Sequence, residues 1–560
     1  MWSDLAVVGA TVACAPPYSF YFDLIEKVWK AKGTNNLPLH RLCTLARKQG
    51  AKTVVIEPAA KLPRVHDEIT ELDNMHAGGG GAAEAVAISF FACELNEGDD
   101  IADVDDADFL GQAIVINYRA PASTAFTISY VFEAVMPPPS LSRENGGAFL
   151  LNNYLAPHGS LPCEVKGRSF TVKGVYYCQQ NSRTHVCAHA CLRMAIKSSS
   201  PDEITPKQIN DLLGVTPPCQ GLSLGQIVQV IESRGLEADV TPVQGGTYMS
   251  LLASIIESGD LALLVFTTGN VEEEDAEAAE ADAASSGGAI PEAVLSASLT
   301  DAVPRENDPA VPEDGSQAQE HVVLVFGHTR HSDEWHPQAI PVYAGPGSAK
   351  YLQASAWIDH FLIHDDNLGP YYTLGSQALE RDLDVGARFI IAIRRRTPNL
   401  TATGAEAIAA VMLTNMLPQL ATSASGRWFD YVTQQPWRHV LRTILISRED
   451  YAAHLQSARG HDDTAMTPDE LARLAVLPER IWMVEFSLPS LFTGNRAKLG
   501  EVLLQADPVE PNDFEDVFVG LRLPNLLMLK DPESGAMEQS PSSLTAHSPM
   551  YRQTTCGVEW

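Results

Sequence analysis

The stretch VYYCQQNSRTHVCAHACLRMA at 175–195 concentrates residue types that can do chemistry. It holds three cysteines, two histidines and two glutamines. A thiolate can attack carbon or bind metal, and an imidazole can carry a proton or bind metal. Four interpretations are open at this point: a metal site, a disulfide, a buried helix, or the start of a site with a cysteine nucleophile.

The spacing argues against a metal site and against a disulfide. The run HisXCysXHisXCys at 185–191 does not have a familiar zinc spacing such as CysXXCys. If a helix begins at Cys187, Cys191 shares its face, whereas His185 precedes the helix and His189 points elsewhere. Only two ligands converge, so we expect no metal and no other cofactor. A disulfide between Cys187 and Cys191 is disfavoured by the geometry that it requires.

A buried helix and a nucleophile site both remain open. Cys187, Cys191 and Met194 would form an apolar stripe, because free cysteine packs as a small hydrophobic residue. Alternatively, the polar, turn-prone segment 181–185 would place Cys187 at the N-terminus of the helix. Backbone N–H groups and the positive end of the dipole stabilise a thiolate there.

A nucleophilic cysteine also needs an oxyanion hole. A glutamine shortly before the nucleophile can place its side-chain amide beside the backbone N–H of the cysteine, which makes a two-donor hole. Gln180 lies seven residues before Cys187 and is our candidate, with Gln179 as the alternate.

The nucleophile needs a histidine from elsewhere in the chain. The segment EHVVLVFGHTR has the apolar character of a buried strand, and His321 stands at its start. We predict that His321 lies over the N-terminus of the helix. His328, at the other end of the strand, is the second choice.

A third group should orient the imidazole and stabilise its charged form. The segment WIDHFLIHDDNLGPYYTL at 357–374 indicates a strand that ends in a turn. Asp365 is our candidate for the orienting carboxylate. Asp366 and Asn367 are residues that commonly build such turns.

In this order the pieces resemble the papain-like cysteine peptidases. Over residues 170–375 they are most similar to the bacteriocin-processing (double-glycine leader) peptidases. Gln180, Cys187, Leu192 and Met194 sit where that family has its glutamine, its nucleophile and apolar positions of the central helix. The resemblance implies an α+β fold in which the helix that carries the nucleophile packs on an antiparallel sheet.

Other segments add to the resemblance, and some positions depart from it. GLSLGQIVQVIESRGLEADV and LLASIIESGDLALLVF are similar to helix-and-strand units of the family. Ala188 replaces the glycine that usually follows the nucleophile, and Asp366 replaces the proline of the turn. Compared with the family pattern, one extra residue separates the glutamine from the cysteine. The 44 positions between His321 and Asp365 are also more than the compact family pattern has.

The resemblance implies a function. Cys187 would be the nucleophile, His321 the base and then the acid, and Asp365 the orienting group, with Gln180 at the oxyanion. The reaction would be hydrolysis of a peptide or isopeptide bond through a thioester, as in a thiol protease. The alternatives are an amide-transfer enzyme, transglutaminase-like or deamidase-like, and a degenerate papain-like scaffold that binds protein partners.

A chain of 560 residues is too long for one hydrophobic core. We expect a mixed α/β domain over 1–150, a papain-like domain over 151–378, a second mixed α/β domain over 379–535 and a loose tail over 536–560. Residues 271–320 contain fourteen acidic residues and one basic residue, so we expect an acidic disordered insertion within the papain-like domain.

Composition limits the partners and the location. A net charge of −31 disfavours nucleic acid. The sequence has no apolar run of about 18 residues and no basic segment before its first apolar stretch, so we expect neither a membrane span nor a secretory signal. Nine cysteines, an odd number, suggest reduced thiols and a cytoplasmic protein. The expected partners are a protein or peptide substrate and a protein bound through the flanking domains.

Overall fold

We describe a computed structural model of the chain. The residues that it describes are 18–95, 99–139, 153–155, 160–200, 202–219, 221–243, 248–268, 319–330, 351–375, 385–420, 427–434, 439–492, 497–511, 513–548 and 550. The expected acidic insertion at 271–320 lies outside them, except for Gln319 and Glu320.

Thirteen α-helices occur in the described parts of the chain. They are α1 Tyr18–Val28, α2 Leu37–Lys48, α3 Pro63–Asn74, α4 Cys187–Ser199, α5 Pro206–Leu213, α6 Leu224–Glu232, α7 Tyr248–Glu257, α8 Ala402–Leu420, α9 Arg427–Gln434, α10 Arg448–Ser457, α11 Pro468–Arg473, α12 Pro489–Phe492 and α13 Phe514–Val517. Among the described residues, no helix combines the length and the apolar character that crossing a bilayer requires.

Twenty strands occur in the same described ranges. They are β1 Thr53–Pro58, β2 Ala82–Phe91, β3 Phe109–Arg119, β4 Ile128–Val135, β5 Asn153–Leu155, β6 Ser160–Val165, β7 Arg168–Lys173, β8 Glu237–Pro242, β9 Leu261–Thr268, β10 Gln319–Arg330, β11 Tyr351–Gln353, β12 Ile358–Asp365, β13 Gly369–Gly375, β14 Val385–Arg394, β15 His439–Ser447, β16 Arg480–Ser487, β17 Gly500–Gln505, β18 Phe518–Leu523, β19 Leu526–Lys530 and β20 Met537–Pro541.

The strands form three large sheets and the hairpin β6–β7. The first sheet has the order β1-β2-β3-β4. The second has the order β13-β12-β10-β9-β14-β8, with β5 paired to β10, and the third has the order β11-β15-β16-β17-β18-β19-β20. The strand pairs are antiparallel except β11 with β15. The expected α+β class is therefore confirmed.

The second sheet is covered on both faces, which explains the unbroken apolar runs of its central strands. Val322 and Leu324 of β10 lie in one core cluster with residues of α4. Val323 and Val325 lie in another with residues of α7. The sheet therefore presses one face against the helix that begins at Cys187.

A hydrophobic core and a sheet both extend across the domain limits that the sequence suggested. The core cluster that contains Cys187 also contains Tyr21 and Leu42, so residues from before position 150 share one hydrophobic core with α4. Strand β14 lies beyond position 378, yet it pairs with β9 inside the second sheet. β14 is therefore part of the second sheet. The pairing joins strands that are far apart in the chain, so no local sequence pattern indicates it.

The structure also differs from the expected loose tail. Within 536–560, β20 pairs with β19 and extends the third sheet. Leu544 and Ala546, just after β20, are fully buried. These two apolar side chains fill core positions, although the polar sequence around them predicts a tail.

Candidate active site

Cys187 is the first residue of α4, and it is buried. The residue before it, Val186, is extended and makes no side-chain cap. The helix start therefore presents backbone N–H groups and the positive end of its dipole to the sulfur. This is the position that the sequence predicted.

A contact one turn along α4 ties the helix to β10. The Cys191 thiol donates to the carbonyl oxygen of Val322, with an S–O distance of 3.3 Å. Cys191 follows Cys187 by one helical turn, and Val322 follows His321 directly in the chain. The contact therefore brings the first turn of α4 to the part of β10 that contains His321.

The direction of α4 also places its N-terminus toward the start of β10 in the second sheet. Ser198, near the end of α4, lines one cleft together with Leu261, the first residue of β9. β9 runs antiparallel to β10, with Ala262 opposite Val325. The helix therefore runs in the direction of β10, and its N-terminus lies toward the end where His321 stands.

His321 and Asp365 form a hydrogen-bonded pair. The distance from His321 Nε2 to Asp365 Oδ2 is 3.1 Å, and Asp366 Oδ1 lies 3.8 Å from the same nitrogen. The antiparallel pairing of β10 with β12 sets Leu324 opposite His364, which carries Asp365 toward the start of β10. The ring of Phe266 meets the imidazole edge to face, with centroids 5.5 Å apart.

The environment of Asp365 keeps its carboxylate ionised. Burial raises the pKa of Asp365, but the hydrogen bond and charge of His321 and the backbone N–H groups of Leu368 and Asn367 outweigh it, so that the pKa is lowered. The two N–H groups donate to Asp365 Oδ1 at 3.0 Å and 2.8 Å. The turn thus holds one carboxylate oxygen and leaves the other for His321.

The two glutamines have different partners. Gln180 donates from Nε2 to Asn367 Oδ1 at 3.0 Å, so it lies against the turn that carries Asp365. Gln179 accepts a hydrogen bond from the Val131 N–H at 2.9 Å and donates to the Asn35 carbonyl oxygen at 2.8 Å. Gln180 is therefore the glutamine that lies next to the turn carrying Asp365, whereas Gln179 connects two segments of the N-terminal region through its hydrogen bonds.

The histidines of the 185–191 run point to structural partners. His185 contacts the Gln179 carbonyl oxygen and Thr184 Oγ1, each at 3.0 Å. His189 Nε2 lies 2.9 Å from Asn210 Oδ1, and burial lowers the pKa of His189 to about 3. The two imidazoles therefore do not join the cysteines in a ligand set.

The second-choice histidine, His328, lies elsewhere. It is fully buried at the far end of β10, where its Nε2 is 2.9 Å from Glu257 Oε1. This pair points toward the third sheet and away from the start of α4.

Within the described part of the chain, two groups of residues have the composition of a metal site. His321, Asp365 and Asp366 offer ligand atoms within 4.8 Å of one another, as do His454, Glu501 and His547. In the second group the Lys498 ammonium already contacts Glu501 Oε1 at 2.7 Å and His454 Nε2 at 3.0 Å. The Lys498 ammonium therefore occupies the position that a metal ion would need in this second group.

The N-terminal region supplies contacts to the turn that the sequence did not indicate. Asn35 donates from Nδ2 to the Asn367 carbonyl oxygen at 2.6 Å. Arg41, in α2, donates from Nε to the Pro370 carbonyl oxygen at 3.1 Å and also to that of Tyr371. More than 300 positions separate these partners, so no local pattern could have revealed them.

The arrangement places the Cys187 thiol at a helix N-terminus and the carboxylate-bound imidazole of His321 at the strand end that adjoins it. It also places the side-chain amide of Gln180 against the turn that carries Asp365. Such groups can exchange a proton and hold a developing oxyanion. No family model, curated protein or solved structure matches the chain.

Proposed function

We propose that this chain is a cysteine hydrolase with a papain-like core, and that it cleaves peptide or isopeptide bonds. The observation that carries the proposal is the pairing of His321 with Asp365, at the end of β10 to which the start of α4 is tied. Gln180 supports it, because it is held on the same turn.

The first half of the proposed reaction forms a thioester. His321 takes the proton of the Cys187 thiol on Nδ1, because Asp365 engages Nε2. The sulfur attacks the carbonyl carbon, and the oxyanion accepts hydrogen bonds from the Cys187 N–H and the Gln180 amide. The C–N bond then breaks, and His321 returns its proton to the departing amine.

The second half regenerates the enzyme. His321 removes a proton from a water molecule, which attacks the thioester carbon. The C–S bond breaks, the acid product leaves, and the thiol is restored with the proton held by His321. If an amine replaces water at this step, the same groups carry out amide transfer.

The burial of Cys187 favours a second candidate. Its side chain has 0% exposure, so a substrate reaches the sulfur only after local opening. A papain-like scaffold that binds protein partners, with a site that does not turn over, would tolerate such burial. The experiment must therefore separate an activated thiol from a packed one.

A cleavage screen and a labelling map make this separation. We expect purified wild-type protein to cleave members of a peptide library and a chloroacetamide probe to label Cys187 ahead of the other cysteines. Cys187→Ser should abolish both cleavage and the dominant label, and His321→Ala should lower both. Cys191→Ser is the matched control, because it changes a buried cysteine of the same helix and should keep the label on Cys187.

The outcomes distinguish the three functions. Products that incorporate an added amine in place of water would indicate amide transfer. Slow, even labelling of several cysteines that does not respond to His321→Ala, with no cleavage, would support the scaffold and contradict the hydrolase.

A further inference from the structure

Residues 181–186, which we call the linking segment, join Gln180 to Cys187 and so separate the two donors of the proposed oxyanion hole. The segment lies outside the helices and strands. A side chain within it shapes its turn: Asn181 Oδ1 accepts a hydrogen bond from the backbone N–H of Thr184 at 3.0 Å. Since both donors must point at one oxygen atom, a small change in the shape of this segment would separate them.

One carboxylate from the N-terminal region binds the linking segment at several points. Glu68 lies in α3, more than 100 positions earlier in the chain, and it is 2% exposed. Its Oε1 accepts hydrogen bonds from Asn181 Nδ2 at 3.0 Å and from Thr184 Oγ1 at 2.6 Å. His185 Nδ1 lies 3.5 Å from the same oxygen, and the Tyr130 hydroxyl donates to it at 2.9 Å.

These contacts keep the Glu68 carboxylate ionised. Burial raises the pKa of Glu68, but the hydrogen bond and charge of His185 and the hydroxyl of Thr184 outweigh it and lower the pKa to about 2. Hydrogen bonds to an ionised acceptor are stronger than those between neutral groups. The carboxylate therefore holds the linking segment more firmly than a neutral side chain of the same shape could.

His185 extends this restraint to Gln180. Its Nε2 donates to the Gln179 carbonyl oxygen at 3.0 Å, because a carbonyl oxygen can only accept. That carbonyl belongs to the peptide group that leads into Gln180, and His185 itself lies two positions before Cys187. The restraint that Glu68 exerts therefore reaches both oxyanion donors, one at each end of the linking segment.

We propose that Glu68 is a positioning residue, which acts through the linking segment to hold the Gln180 amide and the Cys187 N–H at the spacing that an oxyanion requires. This role rests on the proposed hydrolase function. It gives the N-terminal region a part in catalysis itself, beyond the recognition of a partner.

Two probes of Cys187 separate this role from a general loss of structure. The first is a peptide aldehyde made from a library sequence that the wild type cleaves. In its adduct the sulfur bonds to the aldehyde carbon, and the aldehyde oxygen, which takes up the thiol proton, lies in the oxyanion hole. The second is chloroacetamide, which the sulfur attacks at a carbon that bears no oxygen, with chloride as the leaving group.

Glu68→Ala should affect the first probe and not the second. We expect it to weaken aldehyde inhibition and to lower kcat by about tenfold or more, because the oxyanion donors are displaced. KM and the rate at which chloroacetamide alkylates Cys187 should change little, because neither depends on the oxyanion hole. Glu68→Gln keeps an acceptor oxygen, so it should recover part of kcat.

Glu133→Ala is the matched control. Glu133 is another buried carboxylate of the N-terminal region, and its partners Arg64 and Tyr176 lie outside the linking segment. Its loss should lower the melting temperature, whereas kcat and aldehyde inhibition of the folded protein should stay close to the wild-type values. If Glu68→Ala does not fold, Thr184→Val removes the hydroxyl on the other side of the contact and should weaken aldehyde inhibition in the same way.

Amide hydrogen exchange reports on the linking segment without turnover, and it should become faster there in Glu68→Ala but not in Glu133→Ala. With an active wild type, equal losses of kcat in Glu68→Ala and Glu133→Ala would overturn the positioning role, as would unchanged aldehyde inhibition in the Glu68 variants. A wild type that cleaves no library peptide would instead contradict the hydrolase proposal, and the positioning role with it.

Discussion

Gln179 and Gln180 are adjacent and chemically identical, yet the fold gives them different partners. Gln180 lies against Asn367 of the turn, and Gln179 bridges Val131 and Asn35. The sequence left the choice between them open, because spacing to Cys187 alone does not determine which side chain meets the turn.

Replacement of each glutamine by alanine should therefore affect a different property: activity in Gln180→Ala and stability in Gln179→Ala. Gln180→Ala removes a proposed oxyanion donor, so kcat should fall about 100-fold with little change in the melting temperature. Gln179→Ala leaves the buried Val131 N–H without its acceptor, so the free energy of unfolding should fall by about 1–3 kcal/mol. Steady-state kinetics and urea unfolding of both variants check this, and a larger loss of kcat in Gln179→Ala would reverse the assignment.

Asp365 and its neighbour Asp366 offer a second matched pair. Asp365→Asn keeps the shape but removes the charge that stabilises the protonated imidazole, so kcat/KM should fall by at least about tenfold. Asp366→Asn should have a smaller effect, because its oxygen lies 3.8 Å from His321 Nε2 instead of 3.1 Å. Equal effects on kcat/KM would show that the two carboxylates share the orienting role.

At the scale of elements, the sequence was informative where local patterns decide the structure. The apolar run after His321 predicted β10, and the polar segment 181–185 predicted that a helix begins at Cys187. The sequence did not place β14 in the second sheet or β20 in the third, because strand pairing over long separations has no local signature. β20, with the sequence MEQSP, is also too polar to stand out.

The contact of α2 with the start of β13 is the element-scale feature that we expect to matter most. Arg41 donates to the carbonyl oxygens of Pro370 and Tyr371 and lies over the ring of Tyr372, at 4.5 Å from the centroid. Arg41→Ala should loosen the start of β13, so that amide hydrogens of the turn exchange faster and kcat/KM falls. Arg41→Lys keeps the positive charge but lacks the planar guanidinium, so it should preserve only part of the protection of these amide hydrogens against exchange.

At the scale of the whole molecule, a chain of buried charges joins α7, which packs on the second sheet, to the third sheet. Arg442 of β15 contacts Glu257 of α7 and also Glu485 of β16, and Glu485 in turn contacts Lys498 at 2.6 Å. These side chains are at most 5% exposed, so each charge depends on its partners. Nothing in the spacing of these residues could have indicated the network, because its members come from distant parts of the chain.

This network predicts how stability depends on pH. Burial raises the pKa of Glu485, but Lys498 and Arg442 outweigh it and lower the pKa to about 2. The buried His454 and His547 have pKa values far below 6.5, because burial and neighbouring cations disfavour their charged forms. In each case the unfolded chain binds more protons than the folded chain as the pH falls.

The free energy of unfolding should therefore be highest near neutral pH and decline as acid is added. The histidines reduce it once the pH falls below about 6.5, and Glu485 adds its loss between about 4.5 and 2. Urea unfolding at a series of pH values measures this. Glu485→Gln should flatten the acidic part of the profile, whereas a wild-type stability that does not change between neutral and acid pH would contradict the assignment.

The most direct test of the central claim is the pH dependence of alkylation at Cys187. An ordinary thiol, with a pKa of about 8.5, is almost entirely protonated and slow to react at about pH 6. We predict that Cys187 still reacts rapidly with chloroacetamide at this pH and that His321→Ala removes most of this reactivity. If Cys187 reacts slowly at about pH 6 and accelerates only as an ordinary thiol does, with His321→Ala indistinguishable from wild type, the two residues do not form a catalytic pair.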